Sequence, residues 1–354
     1  MASSIPSIIM RRPQTIQEWR HQQNQPEGTF PRHKYVDSSE GYTLWKARLD
    51  NLTVNPANDA PRTPDGLSKN SIHCPARTTD NCDVLIRLMA IGQDRGERHR
   101  MALSRLATGN NALRGENHVV PVLKEVVYDD MVFAIFPLMW TGLVTLGGSV
   151  PRLVFGFCAQ QGQQGTKFCH DNLVAHLGID SDNILINWVG GQCLYPEAHR
   201  AGFLSPFRSY LPIGITSMTL NWPIRSNSDP SSRVVTGLPT TGIRSGEYGR
   251  DIAPEMLSGA PYCPFHADVW QLGTMFKTYF GHLDHLSQSL VGLFDTMCSG
   301  DPASRPSVSE ALQRVQQLEL SRQTLLSGVP DSEVRLAKLA AEVDAQIASR
   351  EAKS

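Results

Sequence analysis

Apolar positions along the chain are grouped in blocks whose period changes near Cys82 and again near Pro137. Residues 1–81 read as an irregular N-terminal extension, because Asn55-Pro56-Ala57-Asn58-Asp59-Ala60-Pro61-Arg62-Thr63-Pro64-Asp65-Gly66 is dense in breakers and turn formers. Within it, Tyr42 to Val54 has the composition of a strand or a short helix. Order is expected from Cys82. Asp83-Val84-Leu85-Ile86-Arg87-Leu88-Met89 is an apolar run of strand length. Glu97 to Ala107 predicts a helix packing through Met101, Leu103 and Leu106, with Gly109 as its stop. Val119–Val127 and Met131–Phe136 predict two strands about a tight Asp129-Asp130 turn. Strand, helix and hairpin together form a compact α+β unit over residues 82–138.

After Pro137 the pattern becomes helical. Leu153 to His170 predicts a helix, but Gly156, Gly162 and Gly165 each cost ~1 kcal/mol relative to Ala in a helix interior. A break or bulge is therefore expected at Gln160–Gln164. Residues 190–250 are rich in loop formers. From Ala267 the side chains of Val269, Leu272, Met275, Phe276 and Tyr279 share one helical side. Ser307-Val308-Ser309-Glu310 is a capping box opening a helix whose apolar face is Val308, Ala311, Leu312, Val315 and Leu318. Gly328-Val329-Pro330 stops it. Leu336, Leu339, Val343 and Ile347 mark a last amphipathic helix, in a tail over 319–354.

Composition narrows the function classes. At 354 residues the chain can bury a large core. With 33 basic against 34 acidic residues, nothing argues for a nucleic-acid or anionic-membrane partner. The seven cysteines are dispersed, without a C-x-x-C pair or ligand spacing for zinc. They read as free thiols in a reducing compartment, so an intracellular, cytoplasmic or nuclear protein is expected. Arg11 and Arg12 follow the apolar run Ile5 to Met10, the reverse of a secretory signal. Met131 to Pro151 carries no charge, but Pro137, Gly142, Gly147, Gly148 and Pro151 argue for a buried strand and a loop rather than a membrane span.

Candidate chemistry lies in the second half. His176-Leu177-Gly178-Ile179-Asp180-Ser181-Asp182-Asn183 precedes an apolar strand at Ile184 to Asn187. Downstream, in order, come Ala253-Pro254-Glu255, then Asp268-Val269-Trp270-Gln271-Leu272-Gly273, then Asp301-Pro302-Ala303-Ser304-Arg305-Pro306. These four segments resemble, in order and spacing, the protein-kinase catalytic loop His-Arg-Asp-Leu-Lys-Pro-x-Asn, the Ala-Pro-Glu motif, the Asp-x-Trp-x-x-Gly helix start and the Asp-Pro-x-x-Arg-Pro motif. Tyr248-Gly249-Arg250-Asp251 and Cys263-Pro264-Phe265-His266-Ala267 make the chain look closest to the divergent kinase-like proteins of mushroom-forming fungi. The resemblance covers about residues 82 to 318. It implies an α+β, two-lobed fold: a reduced β-rich N-lobe over 82–138 and a mainly helical C-lobe over 139–318. It also implies a buried Glu255–Arg305 ion pair, Asp268 accepting backbone N–H groups near His176, and Trp270 under the activation segment.

The departures fall on the chemistry. The catalytic aspartate position is Gly178, and the loop arginine that would read a phosphate is Leu177. The metal-binding Asp-Phe-Gly aligns with Pro212-Ile213-Gly214, which has no carboxylate. Arg87 stands for the phosphate-gripping lysine. Its glutamate partner falls near Met101, with Glu97 as the poorer choice, and no glycine-rich loop precedes it. Asn183 remains as a metal ligand without its main partner, so a magnesium site is not expected. Asp180 and Asp182 are the nearby carboxylates, read as solvated or turn-capping. Phe136, Pro137, Leu138 and Met139 form the apparent hinge behind which adenine would sit. The expectation is a pseudokinase acting as an interaction or regulatory scaffold for an unidentified protein partner, with weak ATP binding. The alternatives are a weakly active Ser/Thr kinase and an ATP sensor without phosphotransfer.

Overall fold

Two apolar strands buried on both faces organise the sheet. Asp83–Ile91 and Met131–Pro137 pair antiparallel at its centre, and almost all their side chains are buried. The computed structural model describes residues 13–19, 41–44, 72–80, 82–141, 152–186, 234–239, 248–280 and 288–327, and short strands at 46–47, 52–54, 67–68, 215–217 and 224–225. Numbered along the chain, β1 is Tyr42–Leu44, β2 His73–Thr78, β3 Asp83–Ile91, β4 Lys124–Tyr128 and β5 Met131–Pro137. They form a curled antiparallel sheet in the order β1-β2-β3-β5-β4. The alternation of side chains gives this sheet two apolar faces. Val84, Ile86 and Leu88 of β3 join Phe133 and Ile135 of β5 on one, covered by Trp19. Met89, Ala134 and Phe136 join Ala102, Leu103 and Leu106 of helix α1 (Glu97–Leu106) on the other.

The sheet starts earlier than the hydrophobic pattern predicts. His73–Thr78 lies before Cys82, yet it pairs with β3 from His73↔Arg87 to Arg77↔Asp83. Its sequence, His-Cys-Pro-Ala-Arg-Thr, has no apolar alternation; the ladder and the bidentate Arg77–Asp83 pair at 2.8–2.9 Å hold it in place. β1 adds at the edge. Three smaller departures have equally local causes. The strand expected from Val119 begins at Lys124, because Val119 and Val120 turn into the core beside α1 instead. Met101 is 46% exposed while Leu103 and Leu106 are buried, so α1 packs on a narrower face than its composition suggests. Gly109 opens a short helical turn, Gly109–Ala112, rather than ending α1.

Helix α2 (Arg152–Asp171) runs unbroken through Gln160–Gln164, where a break was expected. Close approach explains its glycines. A Cβ at Gly165 would lie 2.9 Å from the Cβ of His118, and one at Gly162 would lie 3.3 Å from Cζ of Phe276. Glycine's propensity cost there is offset by contacts that a larger residue would block. Phe168 and Cys169 carry α2 against the α1 face of the sheet.

The helical core lies on the other side of α2. Helix α3 (Pro264–Phe280) contributes Val269, Leu272, Met275 and Phe276, α4 (Gln288–Met297) contributes Leu293, Phe294 and Met297, and α5 (Val308–Ser327) contributes Val308, Ala311 and Val315. The Phe276 and Phe294 rings meet at 5.2 Å. The capping box closes reciprocally: Ser307 N–H donates to Glu310 Oε2 at 2.7 Å, and Glu310 N–H to Ser307 Oγ at 3.2 Å. α5 is described as far as Ser327, and the expected stop at Gly328-Val329-Pro330 lies outside the described residues. The chain is thus a mixed α+β protein. No helix among the described residues is long and apolar enough to cross a membrane. The tail helix marked by Leu336 to Ile347 lies outside the described residues, as does Pro212-Ile213-Gly214.

Candidate functional site

The loop from His176 to Asn183 leaves the two-residue strand β6 (Val174–Ala175) and ends in β7 (Ile184–Ile186). It runs beside the N-terminal half of α3. Asp268, on the second turn of α3 and fully buried, accepts from His176 N–H at 2.7 Å, Leu177 N–H at 2.6 Å and the His170 ring at 2.9 Å. Three donors satisfy a carboxylate that burial would otherwise make very costly. Gln271, one turn further on and also fully buried, accepts from Ile179 N–H at 3.2 Å. Its amide donates to Asp251 O at 2.7 Å and to the Tyr248 hydroxyl at 3.1 Å. Tyr248 in turn donates to Leu177 O at 2.5 Å, and burial pushes its phenol upward.

This clamp holds an unfavourable backbone. Leu177 has φ 47°, a left-handed conformation that β-carbon sterics disfavour for leucine, and it is fully buried. Both its N–H and its C=O are engaged, so the surrounding bonds fix the conformation. Asn183 is buried, and its Nδ2 donates back to Gly178 O at 2.6 Å. Its amide therefore closes the loop on itself. Gly178 brings no side chain to this point. Asp180 stands 3.9 Å from Arg250 and accepts from Ser181 Oγ at 3.2 Å, so it is held by its neighbours as well as by solvent. The Asp182 side chain lies outside what is described.

Behind the clamp, Glu255 and Arg305 form a bidentate pair at 2.6 and 2.8 Å. The Arg305 side chain is completely buried, and it also donates to Ser299 O at 2.8 Å and His266 O at 3.0 Å. Trp270 packs with Ala253, Met256, Tyr262 and Phe265 beneath the segment that carries Glu255.

The His176 ring faces a different situation. It is 3% exposed, and neither ring nitrogen has a hydrogen-bond partner among the described residues. Burial pushes it down to about 4, against the pull of Asp268 in the other direction. The imidazole is therefore neutral at physiological pH.

On the sheet side a cleft opens between β3, α1, the end of β5 and β7. Leu85, Leu103, Val120, Phe136, Pro137, Met139 and Leu185 line its apolar walls, and His73, Arg87 and His99 line its polar end. Phe136, Pro137 and Met139 thus share one cleft with Arg87, whereas Asn183 is turned into its own loop. Arg87 is 7% exposed. Its neighbour from α1 is His99, not Met101, whose side chain turns to solvent. His99 is pushed well below its ordinary value, first by burial and then by Arg87, His176 and His73. His73, His99, Tyr248 and Gln271 were not legible as site residues. The first two carry no motif. Gln271 occupies a variable position of the Asp268–Gly273 segment, and Tyr248 stands at the start of the Tyr-Gly-Arg-Asp run. Among the described residues, no group of three or more His, Cys, Asp or Glu is arranged to hold a metal ion.

No protein-family model matches the chain, and no curated protein matches it.

Proposed function

We propose that the chain is a two-lobed kinase-like protein without phosphotransfer, a pseudokinase that serves as a protein-interaction scaffold. The observation that carries this reading is the loop itself. Asp268 and Gln271 hold the backbone from His176 to Ile179 in place, yet the position of the general base is Gly178, whose carbonyl is taken by Asn183. A positioned base contributes ~10²–10⁴-fold to a rate. Losing the principal magnesium carboxylate costs a comparable factor or more.

Three features support the kinase-like part. Arg87 lies on the third strand of the sheet, immediately before a helix that packs on that strand's face, the order in which kinases present their lysine and its partner. The Glu255–Arg305 pair joins two segments that resemble late kinase motifs. Leu185, just beyond the loop, faces Phe136 and Met139 across a cleft, where adenine would sit. With His99 where a glutamate would pair with Arg87, phosphate contacts are few. ATP binding is weak and independent of magnesium on this reading.

Purified protein incubated with labelled ATP and magnesium tests it. No transfer to itself or to a generic substrate is expected. Robust incorporation that disappears in Asn183→Ala would overturn the pseudokinase reading in favour of a working Ser/Thr kinase.

A further inference from the structure

Helix α1 has two unlike sides. Ala102, Leu103 and Leu106 bury one of them against the sheet. The other carries Arg98, Met101 and Arg105 at positions i, i+3 and i+7, which form one ridge along the helix. Arg98 and Met101 are exposed, and Arg105 is half-buried. Neither arginine takes part in an ion pair among the described residues, whereas Arg100, on the flank of the same helix, is held by Glu125 at 2.6 Å.

Two features of the ridge do not serve the helix itself. Arg98 lies in the first turn, where the helix dipole disfavours a cation, and no side chain caps that turn from Gly96. Met101 is an adaptable apolar side chain left in water between two guanidinium groups. A second apolar side chain, Leu123, is exposed just beyond Val122, whose N–H donates to Ala107 O at the end of α1 at 2.8 Å.

We infer that this side of α1 docks an acidic amphipathic helix of a protein partner, with carboxylates on Arg98 and Arg105 and an apolar side chain on Met101. Seven residues of helix set the two arginines ~10 Å apart, so carboxylates two turns apart on the partner meet both. The cationic ridge fixes the sign of the partner's charge. A nucleic-acid backbone or an anionic bilayer favours an unbroken run of cations. Here Met101 interrupts the run, and the exposed Glu97 at the start of the same side opposes it. This docking face supplies the partner chemistry of the proposed scaffold and rests on that reading.

Fluorescence anisotropy on the full chain tests it, with a labelled peptide of three Glu-Ala-Ala-Leu-Ala-Ala-Gln repeats. The comparisons are the same peptide with every Glu replaced by Gln, a labelled oligothymidylate and phosphatidylserine vesicles. The acidic peptide should bind at least tenfold tighter than its glutamine analogue. Arg98→Glu should weaken it at least tenfold and Met101→Ser at least threefold, while Arg314→Glu on α5 should leave it unchanged. Arg98→Glu also places an acid where the helix dipole favours one, so its thermal midpoint should equal or exceed that of the wild type. Loss of the peptide from so stable a variant separates docking from folding. No binding of the acidic peptide, equal affinity for the glutamine analogue, or full affinity in Arg98→Glu or Met101→Ser would each overturn the inference. So would an equal loss in Arg314→Glu, or tighter binding of the oligothymidylate or the vesicles. Phosphotransfer is a separate readout: transfer together with docking sinks the pseudokinase reading alone, and neither transfer nor docking sinks this inference alone.

Discussion

Around Asp268, one carboxylate gathers two backbone N–H groups and an imidazole, and Glu255 meets Arg305 with two bonds. Around Arg87, the arginine and the histidines at 73 and 176 oppose the protonation of His99. The first region pairs unlike charges and saturates its donors. The second gathers groups of one sign, and the Nε2 of His99 and both ring nitrogens of His176 are buried without a hydrogen-bond partner among the described residues. Both are buried, so burial alone does not distinguish them. What differs is the sign of the charges each brings together. The helical side pairs its carboxylates with donors, and those bonds serve the fold. The sheet side sets an arginine beside imidazoles, which disfavours protonation of His99.

The comparison breaks most easily at Arg305. Removing it strands Glu255 in a nearly closed environment and leaves two carbonyls short of a donor, and breaking such a pair costs ~3–5 kcal/mol. Arg314 on the exposed side of α5 should lose under ~1 kcal/mol. Chemical denaturation of Arg305→Ala and Arg314→Ala should separate by that margin. Equal stabilities would mean that the helical side does not depend on its ion pair.

The next effect is one of pH and concerns His176, which lies between the two regions. Its folded value is about 4 against ~6.5 in an unfolded chain, so between those values the unfolded state binds more protons. Stability from this group is therefore full above pH 6.5 and falls as the solution is acidified, by about 2 kcal/mol at pH 5. His99, His118 and His266 are shifted in the same direction, so the wild-type curve alone does not isolate one group. His176→Phe should remove its share: the difference in unfolding free energy between pH 7.5 and pH 5 should shrink by about 2 kcal/mol. A variant that tracks the wild type at every pH would show that the ring is protonated without cost.

Sequence and structure agree where spacing carries the information. The capping box, the apolar face of α3 and the two central strands follow from local rules, and each holds its expected place. The pairing of Glu255 with Arg305 and the clamp at Asp268 were legible only through the order of four short segments. The misses come from contacts between distant segments. The glycines of α2 read as helix breakers because Phe276 and His118 are far away in sequence. β2 reads as irregular because its stability comes from β3 rather than from its own alternation. His99 was invisible because nothing in the helix pattern says which side of α1 faces Arg87 once Met101 turns to solvent.

The smallest expected effect tests whether any carboxylate near the loop has taken over a catalytic task. Asp180 stands where a displaced acid could serve. Its geometry argues for a local role instead: Arg250 lies 3.9 Å away, with both side chains about a quarter exposed, and Ser181 donates at 3.2 Å. A partly solvated pair at that distance is worth under ~1 kcal/mol. Asp180→Asn keeps the shape and the acceptor for Ser181 and removes only the charge. It should shift stability by less than ~1 kcal/mol and leave ATP binding the same with and without magnesium. A loss of affinity confined to the magnesium-containing titration would give Asp180 a metal-binding role. A stability loss of several kcal/mol without any change in binding would instead place Asp180 in the same class as Glu255, as part of the frame.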